Sequence, residues 1–162
     1  MKSNARQEVA FANNMSYMQS RHGFGNSMGH LISSFDWSSA AKVVDVGGGL
    51  GSTAVEIARN TQNTVIVVQD LPEVISQAES QIALDMKDRV TLMAHDFFHE
   101  QPIHDADVFF FRWILHDWAD EAAAKILKGL IPALRPGASI VLQEFVIPES
   151  GEAPYYFEKM IR

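Results

Sequence analysis

"VVDVGGGLGSTAV", residues 43–55, places four glycines in five positions directly behind an apolar run that contains an acid. Glycine this dense gives up side-chain packing, so the backbone at 47–51 must turn sharply or lie close against something. "KVVDV" (42–46) is a short β-branched run, and "STAVEIARN" (52–60) carries its apolar residues at helical spacing. The stretch therefore predicts a strand, a bare glycine loop and a helix in succession.

The same alternation continues outward. "TVIVVQD" (64–70) predicts a second strand ending in an acid, and "PEVISQAESQIAL" (72–84) a helix with proline in its first turn. "RVTLMAH" (89–95) and "ADVFFFRW" (106–113) predict two further strands. Asp120 is positioned to cap a helix through about residue 131, with Glu121 and Lys125 at i,i+4. "RPGA" forms a turn, and "SIVLQEFVI" (139–147) predicts a fifth strand. Strands that are apolar throughout and alternate with helices indicate a doubly wound α/β fold, a mostly parallel sheet covered on both faces. Such sheets bind ligands outside the carboxyl ends of their strands. Asp45 to Gly51, Asp70, Asp96, Arg112 to Trp118 and Glu144 fall at those ends, and they are acids, glycines or other polar residues in large part.

Composition narrows the partners. With 162 residues and 47% hydrophobic content, the chain has the size and apolar material of one domain. Thirteen basic against 20 acidic side chains give a net charge of −7. That balance offers no electrostatic footprint for nucleic acid or an anionic membrane. No apolar run reaches the about 18 residues of a membrane span, and the first residues carry no signal-peptide pattern. Cysteine is absent, which excludes disulfides and thiolate metal sites. His95, Asp96 and His99 cluster in sequence but on a strand-to-loop passage, so no metal site is expected. A cytoplasmic protein is the expectation.

Two ligands compete for "DVGGGLG". A dinucleotide loop wants G-x-G-x-x-G with a pyrophosphate on the helix N-terminus. Glycines 47, 49 and 51 read G-x-G-x-G, one position short of that spacing. An acid two residues before the first glycine suits a cationic amine better than a pyrophosphate. Asp70 is placed to accept hydrogen bonds from a ribose diol. A nucleoside joined to an amino acid is S-adenosylmethionine. A tight strand-to-helix turn with no ligand remains the plainer explanation of the glycines.

Residues 43–148 resemble the cofactor domain of the plant and fungal small-molecule O-methyltransferases of the caffeate and flavonoid type. The resemblance is carried by "VVDVGGGLG", "VVQDLPEVI", "RVTLMAHDFF", "FFFRWILHDWAD" and "LRPGASIVLQEFVIP", with "FANNMSYMQS…ISSFDW" (11–37) similar to the segment that precedes that domain. It implies residues 1–38 as a helical lead-in on the substrate side and 39–162 as a Rossmann-like S-adenosylmethionine-binding domain. It implies that Asp45, Gly47 and Gly49 face the methionine part of the cofactor. Asp70 with Leu71 then serves the ribose, Asp96 and Phe97 the adenine, and Trp118 closes over it. Arg112 stands where the family usually has lysine, and a planar guanidinium is not an ammonium. Asp117 reads as a cofactor contact or a helix cap, and Trp113 as core. Phe11 and Met15 match apolar positions near the substrate.

The resemblance makes His116 the general base and Glu144 the glutamate that orients it. The chemistry is sound: a phenol of pKa about 10 is neutral at pH 7, and an imidazole near 6.5 can accept its proton as the oxygen attacks. The implied activity is methyl transfer from S-adenosylmethionine to the phenolic hydroxyl of a small aromatic natural product, leaving S-adenosylhomocysteine. The alternative is a non-methylating protein on the same scaffold, either a partner subunit or a site reused for other acid–base or ring-closing chemistry. Relative to the family the chain is truncated at both ends. A fragment, a short chain completed by a partner, and a relative that lost methylation all fit. The fifth strand would then be an apolar sheet edge, so a homo-oligomer or a partner chain supplying the missing elements is expected.

Overall fold

The computed structural model describes residues 28–144. Five strands form one parallel sheet: β1 (Lys42–Val46), β2 (Val65–Asp70), β3 (Val90–Ala94), β4 (Val108–Arg112) and β5 (Ser139–Gln143), in the spatial order β3-β2-β1-β4-β5. The doubly wound arrangement read from the alternation is therefore present. The helices are α1 (Met28–Ser34), α2 (Ser52–Arg59), α3 (Pro72–Ala78) and α4 (Asp120–Leu130). The chain leaves β1 in one direction through β2 and β3, then returns to the other side of β1 through β4 and β5. The switch point lies between β1 and β4, where a doubly wound sheet opens its ligand crevice.

Alternation along the strands divides the core. Val43, Ile66, Val68, Val108 and Phe110 meet Leu31 and Trp37 from the lead-in and Ala54, Ile57 and Ala58 of α2. Val44, Val46, Phe109 and Phe111 meet Ile126 and Leu130 of α4 on the opposite face. Phe109, Phe110 and Phe111 are all fully buried, as a central strand covered on both faces requires. At the outer edge of the described sheet, Ile140 and Leu142 of β5 remain exposed, in keeping with the apolar edge expected there.

Three local expectations are corrected. Asp120 is not the cap of α4: Ala119 holds the extended capping conformation, no side chain bonds the first turn, and Asp120 with Glu121 supplies negative charge inside it. Lys125 lies over the Phe98 ring, 5.4 Å from its centroid, in place of the pairing with Glu121. The helix expected over 72–84 ends at Ala78. There the Ser80 hydroxyl donates to the Gln77 carbonyl at 2.9 Å, and the Gln81 and Ile82 N–H groups both donate to the Ala78 carbonyl.

Candidate functional site

The glycine loop leaves β1 and is fastened at once to β2. Gly47 and Gly48 both donate their N–H groups to the Gln69 carbonyl, at 2.8 and 3.0 Å. Gly47 has φ +70°, and a Cβ there would lie 2.5 Å from Cδ1 of Ile114. Gly48 is closed by contact: its Cβ would meet the Asp45 carboxyl at 2.7 Å and Val68 at 2.8 Å. Around Gly49 the corresponding space is open. Asp70, at the end of β2, accepts from the Gly49 N–H through Oδ2 at 2.9 Å and from the Leu71 N–H through Oδ1 at 2.8 Å. The carboxylate is half-buried.

Asp45 sits beneath the loop at 1% exposure, on the sheet face covered by α2. Its Oδ2 has no hydrogen-bond partner among the described residues. Burial pushes its pKa up to about 7, against the pull of the Arg112 guanidinium and with a smaller push from Asp70. A buried carboxylate that lacks a partner is costly unless a cation or donor meets it.

Arg112 ends β4 pointing inward to the same face. It donates to the Gln143 side chain at 2.7 Å and to the Thr53 hydroxyl of α2 at 3.2 Å, and its guanidinium lies 4.0 Å over the Trp113 ring. Trp113 is buried, as its core reading implies, but its backbone is unusual: φ is +56°. A tryptophan in the left-handed region costs about 1–2 kcal/mol. Its N–H bonds the Gln143 carbonyl at 2.9 Å. The turn it makes throws the chain out of the sheet into a short 3-10 turn, Leu115–Asp117.

That turn carries His116 to the surface beside Glu144. Oε1 of Glu144 accepts the backbone N–H groups of Ile114 and Leu115 at 3.0 and 2.8 Å, and Oε2 accepts from Nδ1 of His116. A carboxylate only accepts, so Nδ1 carries the hydrogen and a neutral ring keeps its lone pair on Nε2. Oδ1 of Asp117 lies 3.5 Å from that nitrogen.

The adenine-side candidates form a third wall. Asp96 accepts the Phe98 N–H at 2.9 Å, and Nδ1 of His99 lies 3.4 Å from its other oxygen. Phe97 reaches to 3.6 Å of the Gly47 Cβ position. Trp118 is 39% exposed and meets Phe97 and Phe98 edge-on, at centroid distances of 6.0 and 4.7 Å.

The structure thus gathers Asp45, Gly47, Gly49, Asp70, Leu71, Asp96, Phe97, Asp117, Trp118, His116 and Glu144 along the carboxyl ends of the strands. Arg112 belongs to the same end but is turned into the protein. Phe11 and Met15 lie outside the described residues. Sequence reading overlooked Ile114 over the glycine loop, the left-handed Trp113, and the polar side chains Thr53, Gln69, Gln101 and Gln143 that brace these walls. A glutamine inside a strand that is otherwise apolar, as at Gln69 and Gln143, is the signal that could have marked two of them.

The chain is similar to known proteins in sequence and in fold. The O-methyltransferase AMT9 of Alternaria alternata is 41% identical over 137 residues, which is 85% of this chain and 32% of the relative. The chlorophenol O-methyltransferase of Trichoderma longibrachiatum is 42% identical over 147 residues, 87% of this chain and 32% of the relative. The chain spans about a third of the length of these curated relatives. Among solved structures, the O-methyltransferase NcsB1 from neocarzinostatin biosynthesis, in complex with S-adenosylmethionine and 2-hydroxy-5-methyl naphthoic acid, superposes with a TM-score of 0.73 at 25% identity, over 86% of this chain and 41% of that one. Human N-acetylserotonin methyltransferase shares the fold, with a TM-score of 0.81 at 24% identity over 97% of this chain and 43% of its own. The model of the O-methyltransferase domain family matches residues 2–160, and the chain belongs to that family.

Proposed function

We propose that the chain carries the cofactor-binding and catalytic residues of an S-adenosylmethionine-dependent O-methyltransferase acting on a phenolic hydroxyl of a small aromatic natural product. The observation that carries this reading is the Glu144–His116 arrangement at the mouth of the glycine-loop crevice. Glu144 accepts from Nδ1, so in the neutral ring Nε2 is the nitrogen that can take up a proton from a hydroxyl.

The residues fit the cofactor. The orphaned Oδ2 of buried Asp45 suits an ammonium group, and the open space at Gly49 lets a ligand chain lie against the backbone. Asp70 has acceptor capacity for a ribose diol, and Asp96 for an amine on the adenine. Phe97, Leu71 and Trp118 supply apolar and aromatic surface for the base. S-adenosylmethionine, when bound, supplies a methyl group already activated on a sulfonium. What remains for the protein is alignment and proton removal. Nε2 of His116 takes the phenolic proton as the oxygen attacks the methyl carbon, and Glu144 stabilises the ring as it becomes charged. Methyl transfer from the bound cofactor would leave its electron pair on sulfur, with S-adenosylhomocysteine and an aryl methyl ether as products.

Relatives named as O-methyltransferases, one of them a chlorophenol O-methyltransferase, and the naphthoic acid bound to NcsB1 support a small aromatic substrate. No helix among the described residues is long and apolar enough to cross a membrane. The exposed Ile140 and Leu142 side chains of β5 offer apolar surface to a second copy or a partner chain. The test is calorimetric titration with S-adenosylhomocysteine, followed by turnover of a phenol panel by the native chain and His116→Ala. Binding in both with turnover lost in the variant supports the reading. Undiminished turnover in His116→Ala overturns the general-base role.

A further inference from the structure

Beneath the glycine loop two buried glutamines meet. Gln69 of β2 pairs in register with Val46, which places its side chain on the α4 face of the sheet. Gln101 lies in the loop that follows Phe97 and Phe98. They are 0% and 2% exposed. Nε2 of Gln69 donates to Oε1 of Gln101 at 2.9 Å, and Nε2 of Gln101 donates back to Oε1 of Gln69 at 2.8 Å.

Each partner fastens a different wall of the crevice. The Gln69 carbonyl takes the N–H groups of Gly47 and Gly48. Gln101 donates its backbone N–H to the Gly129 carbonyl of α4 at 3.0 Å, and its Oε1 also accepts from Ile103 at 3.1 Å. The surroundings are apolar, with Val44, Val46, Phe109 and Phe111 in the same layer. Two aliphatic side chains would fill such a space. What an aliphatic pair lacks is direction: a reciprocal amide pair has one geometry, and a buried amide without its partner costs about 1–3 kcal/mol.

We propose that Gln69 and Gln101 form a positioning clasp, fixing the glycine loop against the Asp96–Phe97 segment so that both ends of the nucleoside meet their contacts at once. The inference rests on the crevice being the cofactor site, but the coupling it asserts between the two walls does not need a ligand to be seen.

The experiment compares the native chain with Gln69→Leu, Gln101→Leu and the double leucine variant. Hydrogen exchange is followed in segments 46–51 and 95–103 without ligand, and melting temperature and S-adenosylhomocysteine affinity are measured alongside. Each single variant is expected to raise exchange in both segments together and to weaken binding about tenfold. The double variant leaves neither side-chain amide unpaired and strands only the half-buried Ile103 N–H, so its melting temperature recovers above both single variants, though not fully, while its affinity stays low. That split supports a positioning role even if the single variants fold poorly. Loosening confined to the mutated segment, or recovery of affinity together with melting temperature, overturns the clasp. Coupled exchange in a native chain that binds no S-adenosylhomocysteine upholds the clasp and overturns the cofactor reading.

Discussion

The backbone N–H of Gly49 donates to Oδ2 of Asp70 at 2.9 Å, so the glycine loop and the acid that ends β2 are one unit before any ligand arrives. Asp70 therefore has two duties in the proposed site: it holds the loop and it offers acceptors to a ribose. Asp70→Asn keeps the shape but places an amide donor where only acceptors serve. S-adenosylhomocysteine affinity is expected to fall at least about tenfold, and because the new amide nitrogen must face the Gly49 or the Leu71 N–H, the melting temperature should fall as well. Calorimetry checks it, and unchanged affinity would remove Asp70 from the nucleoside contacts.

Asp45 makes a prediction about pH. Burial raises its pKa from the ordinary 3.8 to about 7, so the folded chain holds this proton where the unfolded chain has released it. Stability is then greatest below the unfolded value, declines as pH rises towards 7, and levels off beyond. Asp45→Asn removes the cost of the buried charge. The variant is expected to match the native chain near pH 4 and to exceed it at pH 8, by at most about 4 kcal/mol. Urea unfolding at the two pH values decides it. A variant less stable than the native chain at pH 8 would mean that attraction to Arg112 outweighs burial.

The glycines separate folding from binding. Gly48→Ala forces a Cβ against the Asp45 carboxyl and Val68, both under 3 Å away and both buried, so it should lower the melting temperature markedly. Gly49→Ala meets open space and carries only the about 1–2 kcal/mol of a left-handed alanine at φ +59°. It should fold, yet bind S-adenosylhomocysteine poorly because the methyl occupies the ligand's side of the loop. Thermal melts and titrations of the two variants give the comparison; tight binding by Gly49→Ala would place the ligand elsewhere.

Period and punctuation made the fold legible. Apolar strands separated by helices dictate a parallel sheet, and the strand ends dictate where its crevice opens. The placement of the candidate acids and glycines at or just beyond the strand ends was legible for the same reason. The braces were not. Gln101 is distant from Gln69 in sequence, and no periodicity links them. Arg112 reads as a site cation until β5 brings Gln143 beside it and α2 brings Thr53. The left-handed turn at Trp113 has no sequence signal, because tertiary hydrogen bonding and the stacked guanidinium hold it against its own preference. Asp120 was misplaced by one residue as a cap, because Asp is favoured both at the cap and in the first turn.

Glu144 offers the sharpest test of the proposed chemistry. As a carboxylate it takes two backbone N–H groups on one oxygen and Nδ1 of His116 on the other. Glu144→Gln preserves the volume, and its amide oxygen still serves Ile114 and Leu115. Its nitrogen, however, now donates towards His116. The ring must then accept at Nδ1 and carry its hydrogen on Nε2, the tautomer that cannot take a proton from a phenol. The expected result is a loss in kcat of about a hundredfold or more, with unchanged S-adenosylhomocysteine affinity and little change in melting temperature. Glu144→Ala, by contrast, strands the two backbone N–H groups and should lower the melting temperature as well. Nitrogen-15 NMR of the His116 ring reports the tautomer directly. A glutamine variant with native kcat would show that no proton passes through His116, and the base would have to be sought elsewhere along the crevice.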